Sequence, residues 1–475
     1  MRGEHRVRFV PLDALSRLSF SALRDRFIHG RIFQAASLMM GAQVLSQVIR
    51  LGGNLIITRL LAPEMFGLMI LVIMIQVTLG LLSDIGLRSA IIQSKRGDDP
   101  VLLNTAFSVQ VLRGVIMWIA CVAIAMLLYL ANSFGLFKEG TAFTAPELPL
   151  LLIAASFVFV IGGFQSTNHM TAGRNLALGR LIIIDGAAQI GSLILMIALG
   201  YFTRSIWSLV AASVVATLIT TVMSHTYLPG IKNRFMWNRE ALTEISKFGQ
   251  WVLVSSITFV FATNIDRAFL GAVVSAATLG IYSIALNLHG AVDGLISRLF
   301  DNVVLPALSE ASRESHEKLR QQLMRLRPPI DIWYLSSAGF LFAVAPSLVS
   351  LLYDHRYEDA GALLQILSFS LVFARYGVFS MAYLAVGRPK YQAILSFVRL
   401  VAVAVLLPTL FYMYGLHGAM YAIALHPIVM MPFHYVFARE LGLADLKYEL
   451  MVLPAWPAGY IAGLTAIAIL TRVLG

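Results

Sequence analysis

The sequence predicts an all-α polytopic membrane protein of two parallel-related six-helix lobes around a central cavity, with an extra C-terminal helix and twelve to fourteen transmembrane helices in all. Three observations carry this. Hydrophobic residues make up 58% of the 475, charged residues 13%, and the mean hydropathy is +0.78, outside the range of ordinary soluble domains. Apolar runs of about 20 residues or more, the length that crosses roughly 30 Å of hydrocarbon, recur thirteen times from Phe33 onward. Finally, Leu61-Ala62-Pro63-Glu64-Met65-Phe66-Gly67-Leu68 is echoed by Val274-Ser275-Ala276-Ala277-Thr278-Leu279-Gly280-Ile281, a repeat offset by 213 residues from Gly67 to Gly280. Both copies follow a run expected to cross in the same direction, so the halves are parallel repeats about an axis along the membrane normal.

The N-terminal segment 1–32 is rich in arginine and has no apolar core followed by a small-residue cleavage site, so it reads as retained and cytoplasmic. Leu12, Leu15, Leu23 and Phe27 can share one helical face with Arg17, Arg24 and Arg26 elsewhere, which suits either a helix in the headgroup region or a basic tail. The spans follow at 33–61, 66–87, 101–130, 146–168, 176–201, 204–228, 247–272, 277–306, 329–353, 360–386, 391–414, 416–439 and 449–473. They are continuous and too long for tilted strands, so helices rather than a barrel are expected. Basic residues follow every second span: Arg88 and Arg96, Arg174, Lys232 and Arg234, Arg325 and Arg327, Arg388 and Lys390, Arg439 and Lys447. Short loops rich in Lys and Arg stay inside, which sets the N-terminus cytoplasmic. The domains are then an N-lobe at 33–228, a linker at 229–246, a C-lobe at 247–439 and the extra helix in 440–475. The charged stretch from Glu310 to Arg327 reads as a helix on the membrane surface.

Function is sought among charges inside the apolar runs, because an intramembrane arginine costs roughly 3 kcal/mol on insertion scales and faces protein or a watery cavity. Arg50, Arg113, Arg267, Arg375 and Arg399 lie inside such runs and are the candidate substrate-binding residues, together with His289. Arg50 and Arg375 are nearest mid-span, while snorkelling accounts for Arg267 and partly for Arg399. Asp84, Asp266 and Asp293 are candidates for ion coupling or gating. His289, Asp293 and Ser297 are spaced by four and line one helical face, either as a polar stripe facing a cavity or as a hydrogen-bonded helix contact. Asp266 beside Arg267 has a structural pair as its competing role.

Other classes are excluded by missing chemistry. The single cysteine, Cys121, permits no intrachain disulfide and no cysteine metal cluster. Neither a phosphate-binding glycine loop nor H-E-x-x-H nor G-x-S-x-G occurs, so ATP hydrolysis, cofactors and resident metals are not expected. The net charge of +11 is spread over short loops, so no nucleic-acid partner is expected either.

The elbow Arg59-Leu60-Leu61-Ala62-Pro63-Glu64-Met65-Phe66-Gly67, Ser83-Asp84-Ile85-Gly86-Leu87 and Ala90-Ile91-Ile92-Gln93 closely resembles the polysaccharide transporter family of bacterial oligosaccharide flippases. Asn264-Ile265-Asp266-Arg267, Leu279-Gly280-Ile281-Tyr282 and Pro306-Ala307-Leu308-Ser309 agree with it in the second half. The resemblance implies the fold of the multidrug/oligosaccharidyl-lipid/polysaccharide exporter superfamily, opening alternately to either side. It also implies an undecaprenyl-pyrophosphate-linked glycan as cargo in the inner membrane, with a polysaccharide polymerase and chain-length or export proteins as partners. Arg50 is expected beside His289 and Asp293, with Arg50, Arg113 and Arg375 holding the pyrophosphate. A drug or cation antiporter and a peptidoglycan-precursor flippase are the rival readings within the superfamily. A glycan polymerase is the rival outside it, set against short outer loops.

Overall fold

The computed structural model describes residues 31–83, 86–94, 96–175, 177–245 and 264–474. Asp84, the segment 1–30 and most of the seventh expected span lie outside these residues. The described chain is helical, with no strand among the described residues. The helices of the first half are α1 (Arg31–Leu60), α2 (Pro63–Leu82), α3 (Leu87–Gln93), α4 (Pro100–Ser133), α5 (Leu148–Ala155), α6 (Phe157–Gly163), α7 (Asn168–Arg174), α8 (Leu178–Thr203) and α9 (Trp207–Thr226). Those of the second half are α10 (Ala276–Glu314), α11 (His316–Leu352), α12 (Ala360–Leu367), α13 (Phe369–Ala374), α14 (Gly377–Ala385), α15 (Pro389–Leu425), α16 (Pro427–Glu440), α17 (Leu446–Val452) and α18 (Ala455–Leu474). Helical segments at 239–245 and 264–273 complete them.

Among the described residues nine helices are long and apolar enough to cross a membrane, or ten when the pair Leu148–Gly163 and Asn168–Arg174, bent by 67°, is taken as one. One of the nine runs over Pro389–Glu440, 52 residues. At 1.5 Å per residue it would be about 78 Å long, more than twice a bilayer core. Gly415, at φ 62, breaks its helical path, a left-handed geometry that glycine adopts without Cβ strain. Gly415 falls between the eleventh and twelfth expected spans, at 391–414 and 416–439. Start signals sit where physical chemistry puts them: Pro63, Pro100 and Pro389 open their helices, where a missing N–H costs nothing, and Asp99 and Ser275 accept hydrogen bonds at the N-cap.

The charged stretch before Arg327 is not a separate surface helix. Ser315 interrupts α10 and α11 for one residue, caps α11 through the Lys318 N–H, and the charges ride on extensions of two spanning helices. The extra helix α18 packs along α11 where Gly339 and Gly459 let the backbones touch.

The two copies of the repeated motif meet each other. A Cβ on Gly67 of α2 would overlap the carbonyl oxygen of Ala276, and one on Gly280 of α10 would overlap that of Pro63. Each glycine thus packs against the residue four before the other, a contact of two-fold form. Tyr357 donates to the Leu61 carbonyl at 3.1 Å, Arg356 to the Thr58 carbonyl at 3.2 Å, and the Ala142 N–H to the Val274 carbonyl at 2.9 Å. These bonds tie the halves together at one end.

At the opposite end the linker lies extended across the first half. Asn104 and Ser108 accept from the backbone N–H groups of Arg234 and Met236 at 2.9 and 2.8 Å, and Asn168 donates to the Ile231 carbonyl. Ala241 and Ile245 join an apolar cluster with Leu87, Ile91 and Leu103, so the linker reaches the second half already anchored on the first.

Candidate functional site

A cavity of about 410 Å³ opens between α1 and α10. Gln43, Gln47, Arg50 and Asn54 line it from α1; their spacing of four, three and four puts all of them on one helical face. Asn287, Gly290, Ala291 and Gly294 of α10 form the facing wall, and Ile57, Phe66, Met196 and Leu209 are among the apolar residues that close it. Nothing approaches within 4 Å of a Cβ built on Gly290 or Gly294, so that wall is backbone facing open space. Arg50 is exposed into the cavity. Among the described residues neither it nor Gln43, Gln47 and Asn287 has a hydrogen-bonding or ionic partner, while Asn54 donates to the Tyr353 hydroxyl at 3.3 Å.

A second cavity, of about 360 Å³, lies on another face of α10. His289 and Asp293 line it with Ser370, Gln392, Ser396, Arg399, His426 and His434. His289 Nε2 is 2.6 Å from the Ser370 hydroxyl. Arg399 Nε, Gln392 Oε1 and His434 Nδ1 are buried without a partner among the described residues. The expected meeting of Arg50 with His289 and Asp293 does not occur. Successive helical residues are turned by about 100°, so Gly290 and Gly294 face Arg50 while His289 and Asp293 face away from it.

The five intramembrane arginines have separate fates. Arg113 is tied to the end of α2, donating to the Gly80 carbonyl at 2.7 Å and the Ser83 hydroxyl at 3.0 Å. Arg267 donates to Asn264 Oδ1 at 2.9 Å, while Asp266 accepts from the Tyr282 hydroxyl at 2.5 Å, so these neighbours in sequence point to different partners. Arg375 is 3% exposed and pairs with Asp331 at 3.3 Å and Glu449 at 2.8 Å. Arg327, 1% exposed, pairs with the same two carboxylates and stacks over Phe379 and Tyr448. The expectation that Arg113 and Arg375 line the substrate cavity is therefore corrected: hydrogen bonds hold the first, and two carboxylates seal in the second. Arg267 lines neither cavity, Arg399 lines the second, and Arg50 alone of the five lines the first.

The amides Gln43, Gln47, Asn54 and Asn287 were not singled out from sequence. The periodicity argument that marked His289 and Asp293 finds three of them when applied to the residues around Arg50. Asn287 carries no such signal, since only the packing of α10 against α1 turns it inward.

An all-helical membrane fold, two halves joined at one end and a polar cavity between them define a membrane transporter. Comparison with known proteins agrees and narrows the class. The family model described as polysaccharide biosynthesis protein matches residues 56–362, well over half of the chain. The chain belongs to this family of polysaccharide biosynthesis proteins. It is 22% identical over 356 residues to the lipopolysaccharide biosynthesis protein WzxC of Escherichia coli (strain K12), covering 73% of this chain and 67% of the relative. It is 24% identical over 417 residues to the capsular polysaccharide biosynthesis protein CapF of Staphylococcus aureus, covering 85% and 98%. In fold it is similar to the lipid II flippase MurJ in an inward closed conformation, with a TM-score of 0.64, 13% identity and 92% and 99% of the two chains covered. An inward-facing multidrug transporter of the superfamily follows at a TM-score of 0.59, 16% identity and 90% and 96% coverage.

Proposed function

We propose that this protein is a flippase that moves undecaprenyl-pyrophosphate-linked oligosaccharide repeat units from the cytoplasmic to the periplasmic leaflet of the bacterial inner membrane. It does so by alternating access, for capsule, exopolysaccharide or O-antigen synthesis. Arg50 carries the reading: an arginine in mid-membrane, without a protein partner among the described residues, in the cavity of a chain from this family. A lipid-linked pyrophosphate supplies the missing partner, since a guanidinium grips phosphate oxygens through two parallel N–H bonds and a low local dielectric strengthens them. An acidic, aromatic-lined cavity would favour a cationic drug, and the described residues lining the central cavity include no carboxylate.

With the N-terminus cytoplasmic, the end joined at Gly67 and Gly280 is periplasmic and the conformation is the inward-facing member of the cycle. Lobes at 33–228 and 247–439 rock about this joint. Asp293, which lines the second cavity with Arg399, and Asp266 serve a coupling proton or sodium ion. Polymerase and chain-length proteins receive the cargo.

Two variants test the reading. Arg50→Lys keeps the charge and loses the planar fork, and Arg50→Ala loses both, so export should fall in the order wild type, lysine, alanine. The measurement is polysaccharide export in a flippase-deleted host, normalised to membrane-inserted protein. Full export by the alanine variant at normal abundance rejects the role.

A further inference from the structure

Resting on the flippase reading, we propose that Asn54 couples cargo to the joined end of the two halves. The short segment 353–357 is a latch across that end, and a pyrophosphate held at Arg50 releases it by drawing the Asn54 amide away from Tyr353.

The latch is built on the end of α1. The last carbonyls of a helix have no partner within it and carry the negative end of its dipole, so they draw donors and cations. Here the second half supplies both. Arg356 donates to the carbonyls of Thr58 at 3.2 Å and Arg59 at 3.4 Å, and Tyr357 donates to that of Leu61 at 3.1 Å. Asp354 accepts from Arg356 Nε at 3.1 and 3.0 Å, which aims the guanidinium. Tyr357 is buried, its ring edge-on to Phe66 at 6.1 Å and against Tyr353 at 5.9 Å. The same segment reaches the cavity. Asn54 and Phe66 line it, and each touches the latch, Phe66 through Tyr357 and Asn54 through the bond it donates to the Tyr353 hydroxyl at 3.3 Å. Arg50, Asn54 and Thr58 are spaced by four, so cargo site, relay and latch follow one another along a single stripe of α1 about 12 Å long. The bond joining relay to latch is easily exchanged. It lies at the long end for an N–H donor, and its acceptor is a neutral phenol, whereas a charged phosphate oxygen forms bonds roughly twice as strong. Arg50 is one turn from Asn54 toward the start of α1, while Tyr353 packs against Tyr357 on the side of Leu61. A side chain as short as asparagine serves one or the other.

The test reads the distance between the halves at the latched end, by electron spin resonance between two labels in the full chain in lipid nanodiscs. The parent carries Cys121→Ser with Phe202→Cys at the end of α8 and Glu358→Cys just past the latch, both exposed positions. The probe is undecaprenyl pyrophosphate, whose binding is measured in parallel. Adding it should lengthen the distance in the parent. Tyr353→Phe, which removes one hydroxyl, and Asn54→Leu should each raise the long-distance population before lipid is added, about twofold to tenfold, the worth of one hydrogen bond. Both should flatten the further response to lipid while lipid binding persists. Arg356→Gln should lengthen the distance with no lipid present and leave lipid binding intact. A parent that binds the lipid without lengthening overturns the cargo trigger, and Tyr353→Phe and Asn54→Leu responses equal to the parent's overturn the relay. Either result leaves the flippase reading in place. An Arg356→Gln distance equal to the parent's overturns the latch. A parent that does not bind the lipid rejects the flippase reading, and this inference with it.

Discussion

Arg50 and Arg375 look alike in the sequence, each a lone cation near the middle of an apolar run, and their surroundings are opposite. Arg375 lies in a dry four-membered network with Arg327, Asp331 and Glu449, two cations against two carboxylates, with Tyr376 donating to Glu449 as well. Arg50 stands in an open cavity among amides, with no counter-ion among the described residues. The first arrangement holds α11, α17 and the turn between α13 and α14 together, and the second leaves binding capacity unspent. What separates a structural arginine from a functional one here is whether its partner is supplied by the chain.

The largest effect that would sharpen the contrast is loss of one member of the dry network. Arg375→Ala or Asp331→Leu leaves an uncompensated buried charge, an expected cost of about 3–5 kcal/mol, so membrane-inserted protein should fall steeply on a quantitative blot. A joint Arg375→Met and Asp331→Leu change still leaves Arg327 and Glu449 to pair and should recover part of that loss. If the single variants accumulate normally, the network is not what holds this region.

A smaller effect concerns the joined end. Gly67→Ala and Gly280→Ala each push a methyl group into backbone, at about 1–3 kcal/mol of overpacking. A cysteine placed at Asn287 in a Cys121→Ser background should then become reachable by a membrane-impermeant reagent from the periplasmic side. Unchanged labelling in both variants would show that the seam does not hold the halves together.

Smaller still is Asp354→Asn. Arg356 beside Asp354 holds its carboxyl below the ordinary carboxylate value, while the same guanidinium reaches the Thr58 carbonyl across the halves. A carboxylate lowered in the folded state contributes stability that is complete above its ordinary value, about 3.9, and lost as pH falls through the lowered one. Wild type should therefore label equally from pH 5 to 8 and loosen below about 4, and the asparagine variant should lose this acid dependence.

Least of all should Arg50→Gln affect abundance, within about 0.5 kcal/mol, because no described residue loses a partner. A steep fall in its inserted amount would break the comparison and return Arg50 to the structural class.

How much of this was legible varies with the range of the interactions involved. Span positions followed from local apolar runs and from the prolines that open helices, and the elbow containing Gly67 marked one of the two segments that meet. The dry network was not legible because its members come from three distant stretches. Arg327 read as the end of a charged helix on the membrane surface, and Glu449 read as the start of a span, yet α17 carries that carboxylate back onto α11 and Arg375. The split between two cavities depends on how α10 is rotated, which spacing alone does not set. Spacing did show that His289 and Asp293 share a face, and the structure adds that this face turns away from Arg50.

The seam at Gly67 and Gly280 also bears on how such a chain could have arisen and how it can be cut. A contact in which each half offers the same feature to the other is the contact a homodimer uses, here enclosed within one polypeptide. Severed within 229–246 and expressed as two pieces, the halves retain matching surfaces and should reassemble in the membrane. A first half expressed without its companion exposes a surface that its own twin can meet, so it should dimerise through Gly67.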